Sequence, residues 1–273
     1  MADIVLSAGV RSNLLQLQKT SDLITATQSK LATGKRVNSA LDNPVNFFTA
    51  QGLSNRASDL SSLLDSMSNA FNTIQAANNG ISSITKLVQS AQALVSQAQQ
   101  TSDTAVRTSL ATQFGEILTQ IDQLAADSGF NGINLLDSGS STDLTVTLNE
   151  TGTSSVTVAA VDFSAAGDLA INNAVNNWGG VADITAASAE LTTALTTLRS
   201  QAQAFGSNLS TVQIRQEFTK AMINTLQTGA DSLTLADSNE EGANLLALQT
   251  RQQLSTTALS LASQASQAVL RLF

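Results

Sequence analysis

The sequence predicts a mainly α fold: an elongated helical bundle or coiled coil of long antiparallel helices, with paired N- and C-terminal helices and a small β-hairpin domain. Three observations carry this prediction. First, one register of sevens is apolar throughout: Leu53, Leu60, Met67, Ile74, Ile81, Val88 and Val95. A companion row three residues on reads Arg56, Leu63, Ala70, Ala77, Ile84, Ala91 and Ala98, apolar but for its first member. Such a repeat marks a helix whose stripe packs along other helices; it spans about 46 residues, or about 70 Å at 1.5 Å per residue. Second, aromatics make up 4% of the chain and there is one Pro, which suits thin helices in close contact better than a bulky core. Third, the pattern changes to short alternating runs between Leu135 and Val181, and helical spacing returns near Ile184.

Taken in order, residues 4–33 read as a first helix with Val10, Leu14, Leu17, Ile24 and Leu31 on one side. Ser21 and Gln28 interrupt its seam, and Gly34 is placed to stop it. Residues 34–44 are a connector in which Asp42-Asn43-Pro44 has turn chemistry and opens the long helix, since Pro suits a first turn and not an interior. Asn78-Asn79-Gly80 is a weak point, because Gly costs about 1 kcal/mol against Ala. The repeat keeps its register across it, so one helix is expected to about Gln100. Ser102 or Asp103 caps a third helix with Leu110, Phe114, Ile117, Ile121 and Leu124 as its stripe, and DSGFNGIN (127–134) forms a turn.

Leu144, Val146 and Leu148 alternate with Thr145 and Thr147, and Val156 and Val158 flank Thr157. Asn149-Glu150-Thr151-Gly152-Thr153 lies between them, so a β-hairpin is expected. Val161-Asp162-Phe163 extends it, and Trp178-Gly179-Gly180 closes the segment. From Ile184 onward, Leu191, Leu195, Leu198, Ala202, Phe205, Leu209, Val212, Ile223, Leu226, Ala230 and Leu233 keep helical spacing, with Gln216 and Thr219 polar in the seam. TLADSNEEG (234–242) interrupts. A last helix has Ala247, Leu254, Leu261 and Ala268 at intervals of seven, followed by a row of Ala258, Ala265 and Leu272 in which Arg251 is the exception. The unfilled seams of the two end helices are expected to pair, and apolar surface left over invites other copies of the chain.

Composition excludes several functions. The 273 residues contain no Cys, no His and no Tyr. Without Cys there is no disulfide or thiol chemistry. Without His the commonest metal ligand and general base are missing. No catalytic, metal or cofactor-binding residues are assigned. Glu240 and Glu241 are adjacent rather than facing, as a helix N-terminal charge bias would have them. The net charge is −8, and no Lys or Arg lies between Arg107 and Arg199, which excludes nucleic-acid binding there. No run reaches the ~18–20 apolar residues of a membrane span, and Met1 to Leu6 lack the pattern of a cleavable signal. The long helices carry Ser, Thr, Gln and Asn on their polar faces, not the Lys and Arg of a membrane-active helix.

Three separated stretches resemble bacterial flagellin. LATGKRVNSALDN (Leu31 to Asn43) is similar to that family's N-terminal connector. FNGINLL (Phe130 to Leu136) is similar to the element after its third helix. ADSNEE (Ala236 to Glu241), with the Gln/Ala/Leu-rich run to Phe273, is similar to its C-terminal signature. The hook–filament junction protein is the alternative with similar end helices; the connector and C-terminal matches favour flagellin. The resemblance implies a short form that self-polymerises into the flagellar filament and so drives swimming. Residues 1–44 and 234–273 would be inner-tube helices with their connectors, 45–134 and 184–233 the two halves of the helical core, and 135–183 a small outer patch.

Inner-tube packing would fall to Val10, Leu14, Leu17, Ile24, Leu31, Ala247, Leu254, Ala258, Leu261, Ala265, Ala268 and Leu272. Implied partners are many copies of the chain, hook-associated and cap proteins, and an export chaperone. Implied export is unfolded and without a cleaved signal, to the extracellular filament. Family members that carry an inserted metalloprotease use a His-Glu-x-x-His pair, which a chain without His cannot form. Many also carry an arginine-rich face read by an innate immune receptor. Here the matching stretch keeps Lys86, but Val88 and Gln89 replace a second arginine and a glutamate, so weak or absent recognition is expected. PVNFF (Pro44 to Phe48) replaces the usual small residues after the connector.

Two charge readings stay open. Lys35, Arg36 and Arg11, in or near the N-terminal tube segment, and Asp231, Asp237, Glu240 and Glu241, at the C-terminal connector, either attract one another or are solvated, worth about 0–1 kcal/mol per exposed pair. Arg251 either sets register in a buried seam or snorkels to solvent.

Overall fold

The computed structural model describes residues 8–137, 139 and 143–270, the side chains of 266–270 excepted. Five long helices dominate: α1 (Ala8–Thr33), α2 (Pro44–Gln100), α3 (Thr104–Asp127), α4 (Val181–Thr234) and α5 (Ser238–Leu270). Between α3 and α4 lie strands β1 (Leu144–Thr147) and β2 (Ser155–Val158) and a 3-10 turn, Val175–Trp178. Leu272 lies outside the described residues, and Ala268 is described in its backbone only. Packing divides the chain into two units: residues up to Asn55 together with those from Thr225, and Arg56–Asn224. The first turns of α2 and the last turns of α4 thus join the chain-end unit.

Local chemistry sets the helix ends. Asn43 accepts the Asn46 N–H on its Oδ1 (3.0 Å) ahead of Pro44, which satisfies a free first-turn donor. Asp103 caps α3 by accepting from the N–H groups of Ala105 (2.8 Å) and Val106. Arg107 is buried, at 8% exposure. Its Nε–H is shared by the carbonyls of Thr101 (2.9 Å) and Ala98 (3.3 Å), so a cation sits on the carbonyl end of α2, where the helix dipole favours it.

In the Arg56–Asn224 unit the apolar rows close. Leu60, Met67, Ile74, Ile81, Val88 and Val95 of α2 are all buried. So are Ala70, Ala77, Ile84, Ala91 and Ala98 of the companion row, whereas Leu63 is half-buried and Arg56 exposed. Ala57 is buried beside Arg56: an ideal helix drifts against a strict repeat of seven, and here the buried row has moved by one residue. Against these pack Leu110, Phe114, Leu118 and Ile121 of α3 and the α4 row Ile184, Leu191, Leu198, Phe205 and Val212. Ile117 and Leu124, on the expected α3 stripe, are half-buried.

Gly80 is where the segment after α3 comes against α2. A β-carbon there would lie 2.3 Å from Ser128 Oγ and 2.6 Å from a Leu136 methyl. The weak point of the sequence is therefore a packing requirement, and α2 is unbroken across it.

The hairpin pairs Leu144 with Val158 and Val146 with Val156 in an antiparallel two-stranded sheet. Its loop is tied by Asn149, whose Oδ1 accepts the Ser154 N–H at 3.0 Å, while Gly152 takes a positive φ of 70°. Residues 161–163 do not extend this sheet. The N–H groups of Val161 and Phe163 instead donate to the carbonyls of Leu135 and Leu136, both at 2.9 Å. Two strands already complete the hairpin's pairing, and burial of Phe163 draws that backbone to the 135–136 segment. Trp178 ends the segment fully buried, its ring 5.0 Å from Phe114.

Candidate functional site

Among the described residues no group of His, Cys, Asp or Glu could hold a metal ion, and no helix is long and apolar enough to cross a membrane. The candidate site is the pair of end helices with their connectors, because both helices leave leucines exposed.

In α1 the buried positions are Val10, Thr20, Ile24 and Thr27, with Leu17 and Leu31 half-buried. The spacing alternates threes and fours, the pattern of a coiled-coil seam. The α5 residues shielded by α1 are Leu245, Leu248, Gln252, Ser255, Leu259 and Ala262, all half-buried. The two ends do pair, but α5 uses a different face from the one the apolar sevens suggest. Ala247, Leu254, Ala258, Leu261 and Ala265 are exposed on the neighbouring face, one residue or about 100° around the helix, and so is Arg251, which matches the solvated alternative for that arginine. Leu14 of α1 is also exposed. Two apolar rows run along α5, and periodicity alone does not say which one a partner covers. The row that meets α1 brings Leu245, Leu248 and Leu259 into the seam.

The seam is thin. Thr20 spends its hydroxyl on the Gln16 carbonyl (2.8 Å), and Gln252 and Ser255 supply little apolar area. Around it Leu14, Leu15 and Leu23 of α1, and Leu246, Leu254 and Leu261 of α5, remain exposed.

The connectors meet through backbone. Gly34 takes φ 67°, ending α1 in the left-handed cap that Gly allows. Its carbonyl accepts the Ala236 N–H at 3.0 Å, and the Arg36 N–H donates to Thr234 O at 2.8 Å. Among the described residues one ion pair joins the ends, Lys30 Nζ to Glu241 Oε1 at 2.9 Å. Residues 30 and 241 have no sequence signal that pairs them. Of the expected connector charges, Lys35 is exposed and Arg36 donates to the Ser232 carbonyl (3.2 Å). Asp237 caps α5 by accepting from the Asn239 N–H (2.8 Å), and Glu240 is exposed in the first turn.

Asp42 closes the N-terminal connector. Its Oδ2 accepts the N–H groups of Asn38 and Ser39, both at 2.9 Å. Those donors hold its carboxyl below the ordinary carboxylate range, Ser39 first and Asn38 next. In the other unit Arg56 of α2 pairs with Glu150 at the hairpin tip. Glu150 is likewise lowered, chiefly by its own backbone N–H and then by Arg56, with burial opposing. Of the receptor-equivalent stretch, Lys86 and Gln89 face solvent and Val88 lies in the core. Leu53, the first of the long apolar row, is half-buried in the chain-end unit.

Comparison with known proteins bears on this site. Residues 9–142 match the bacterial flagellin N-terminal helical region and residues 182–273 the C-terminal helical region. The chain is 31% identical over 268 residues to flagellin FljK of Caulobacter vibrioides, covering 98% of this chain and 97% of that protein. It is 27% identical to a flagellin of Brucella melitensis, covering 100% and 99%. The crystal structure of Bacillus cereus flagellin aligns with a TM-score of 0.46 and 21% identity, over 60% of this chain and 88% of that one.

Proposed function

The chain belongs to the bacterial flagellin family, and from that premise we propose that it is a structural subunit that self-polymerises into the extracellular flagellar filament and so drives swimming. One observation carries the reading: similarity to FljK runs over nearly the full length of both chains, so both end helices and the connectors between them are included. The exposed leucines of α1 and α5 support it physically. A row such as Leu246, Leu254 and Leu261 left in water is stabilised by about 1.5–3 kcal/mol per fully buried leucine when other copies cover it, and a helical polymer covers it on every subunit.

In this reading residues 1–44 and 234–273 line the inner tube, 45–134 and 184–233 form the layer around it, and 135–183 face outward. Inner-tube contacts use Val10, Leu17, Ile24 and Leu31 within the pair and Leu14, Ala247, Leu254, Ala258, Leu261, Ala265, Ala268 and Leu272 between copies. Arg251 then faces a solvent channel. Hook-associated and cap proteins, and a chaperone on the C-terminal end during export without a cleaved signal, are the further partners that family membership brings. Innate immune recognition is weak or absent, because Lys86 alone keeps a positive charge in the relevant stretch and Val88 is buried.

The test is seeded or salt-induced assembly followed by electron microscopy, with a parallel chain lacking 240–273. Long filaments from the full chain and none from the truncation are expected. Short caps or monomers from the full chain would instead indicate a hook–filament junction protein. Strong receptor activation by the purified protein would overturn the immune part of the reading alone.

A further inference from the structure

Two phenylalanines are exposed among the described residues. Phe48, in the second turn of α2, is 64% exposed, and Phe218 on α4 is 55% exposed. They belong to different units of the chain and sit in different surroundings. Val45, one helical turn before Phe48, and Leu41, which is 96% exposed, are exposed as well, so the end of the connector and the start of α2 carry three exposed apolar side chains. Phe218 instead forms one wall of a hollow on the Arg56–Asn224 unit. Buried Leu60 and Leu148 line it with Met222, alongside the polar Asn149 and Thr219 and the cations Arg56 and Arg215. The hollow encloses about 220 Å³. An apolar cavity of about 150 Å³ accommodates benzene, so a phenyl ring fits.

Charge points the same way. Arg56 is taken up by Glu150, whereas Arg215 has no carboxylate partner among the described residues. That leaves one net positive charge at the hollow. The stretch with Leu41, Val45 and Phe48 carries Asp42, an exposed carboxylate whose hydrogen bonds come from uncharged groups; Lys30, the cation that acts on it, is paired with Glu241.

We propose that Phe48 of one copy seats in the hollow beside Phe218 of a second copy, with Asp42 approaching Arg215. This rests on the filament reading and deepens it by naming a contact between subunits. The two surfaces differ, so the contact is head-to-tail, and such contacts propagate from copy to copy, into an open helical filament where the rotation does not close a ring. A buried aromatic anchor in a pocket is also the arrangement in which a few residues carry most of an interface's energy.

The test places p-benzoylphenylalanine at position 48, which keeps an aromatic anchor there. The substituted chain, labelled with a heavy nitrogen isotope, is polymerised as a minor fraction among unlabelled wild-type chains and irradiated. The expected product joins position 48 to an unlabelled peptide from 56–60, 148–154 or 215–222. Filaments whose cross-links fall elsewhere, or are absent, overturn the contact and leave the filament reading standing. A wild-type chain that forms no filaments overturns that reading and the contact with it. Phe218→Ala supplies a second measurement. Its critical concentration for assembly should rise about tenfold or more while the monomer's thermal unfolding is unchanged, and an unaltered critical concentration overturns the proposal.

Discussion

The Arg56–Asn224 unit and the chain-end unit are built on the same seven-residue grammar and end in opposite states. Along α2 every position of the row from Leu60 to Val95 is buried, and Phe114, Phe163 and Trp178 fill the space between helices. Along α1 the equivalent row includes Thr20 and Thr27, and its partner offers Gln252 and Ser255. The first seam closes within one chain. The second closes on one side and leaves leucines outside on the other. Periodicity therefore decides that a helix packs; the volume and polarity of the residues in the row decide whether one chain suffices.

The contrast can be broken most strongly at Phe114. Phe114→Ala should cost about 3–5 kcal/mol of stability, read by thermal or denaturant unfolding, with loss of the tight environment of Trp178. The matching double change Leu254→Ala with Leu261→Ala should move monomer unfolding by no more than about 0.5 kcal/mol yet abolish or sharply slow assembly. Equal effects on monomer stability from both would dissolve the distinction.

A smaller effect is expected at Gly80. Gly80→Ala puts a methyl into Ser128 and Leu136, and overpacking of this kind costs about 1–3 kcal/mol. A tolerated alanine would mean that the 128–136 segment yields more readily than the α2 rows. Asp103→Ala should lose about 1 kcal/mol of capping, visible as earlier melting of the α3 end by hydrogen exchange.

The smallest effect is in pH. Asp42 and Glu150 are both lowered in the folded state, so each adds stability above the ordinary carboxylate range. That contribution is lost as pH falls through that range and below it, because protons then bind the unfolded chain first. Asp42→Asn should show a flatter acid limb than the wild type, and the two curves should draw together at low pH. Parallel curves at every pH would show that Asp42 is not a source of the acid sensitivity.

Much of the fold was legible from residue order. The long row on α2, the helix start at Pro44, the cap at Asp103 and the hairpin strands follow from local periodicity and turn chemistry, and each stands in the structure. The paired ends were legible as a pair. Their interface was only half so: Val10, Leu17, Ile24 and Leu31 lie on the paired side of α1, but Leu14 does not, and the apolar sevens of α5 lie on the open side. The Lys30–Glu241 bridge and the seat of Arg107 carry no signal at all, since nothing in a charge's neighbours along the chain says which distant group it meets. Val161–Phe163 misled because a strand-like pattern marks extended backbone without naming its partner.

By itself the sequence determined the order of the five helices, the extents of α2, α3 and α4 and the hairpin, and it carried enough of the flagellin connector to place the chain in its family. Those properties rest on interactions between residues a few positions apart: side-chain spacing, capping and turns. Only the tertiary structure decided which of two apolar rows on α5 meets α1, why Gly80 is a point of contact rather than a break, and where Phe48 stands free while a hollow of suitable size waits beside Phe218. These depend on shapes and charges far apart in the chain, and no local pattern encodes the distance between them.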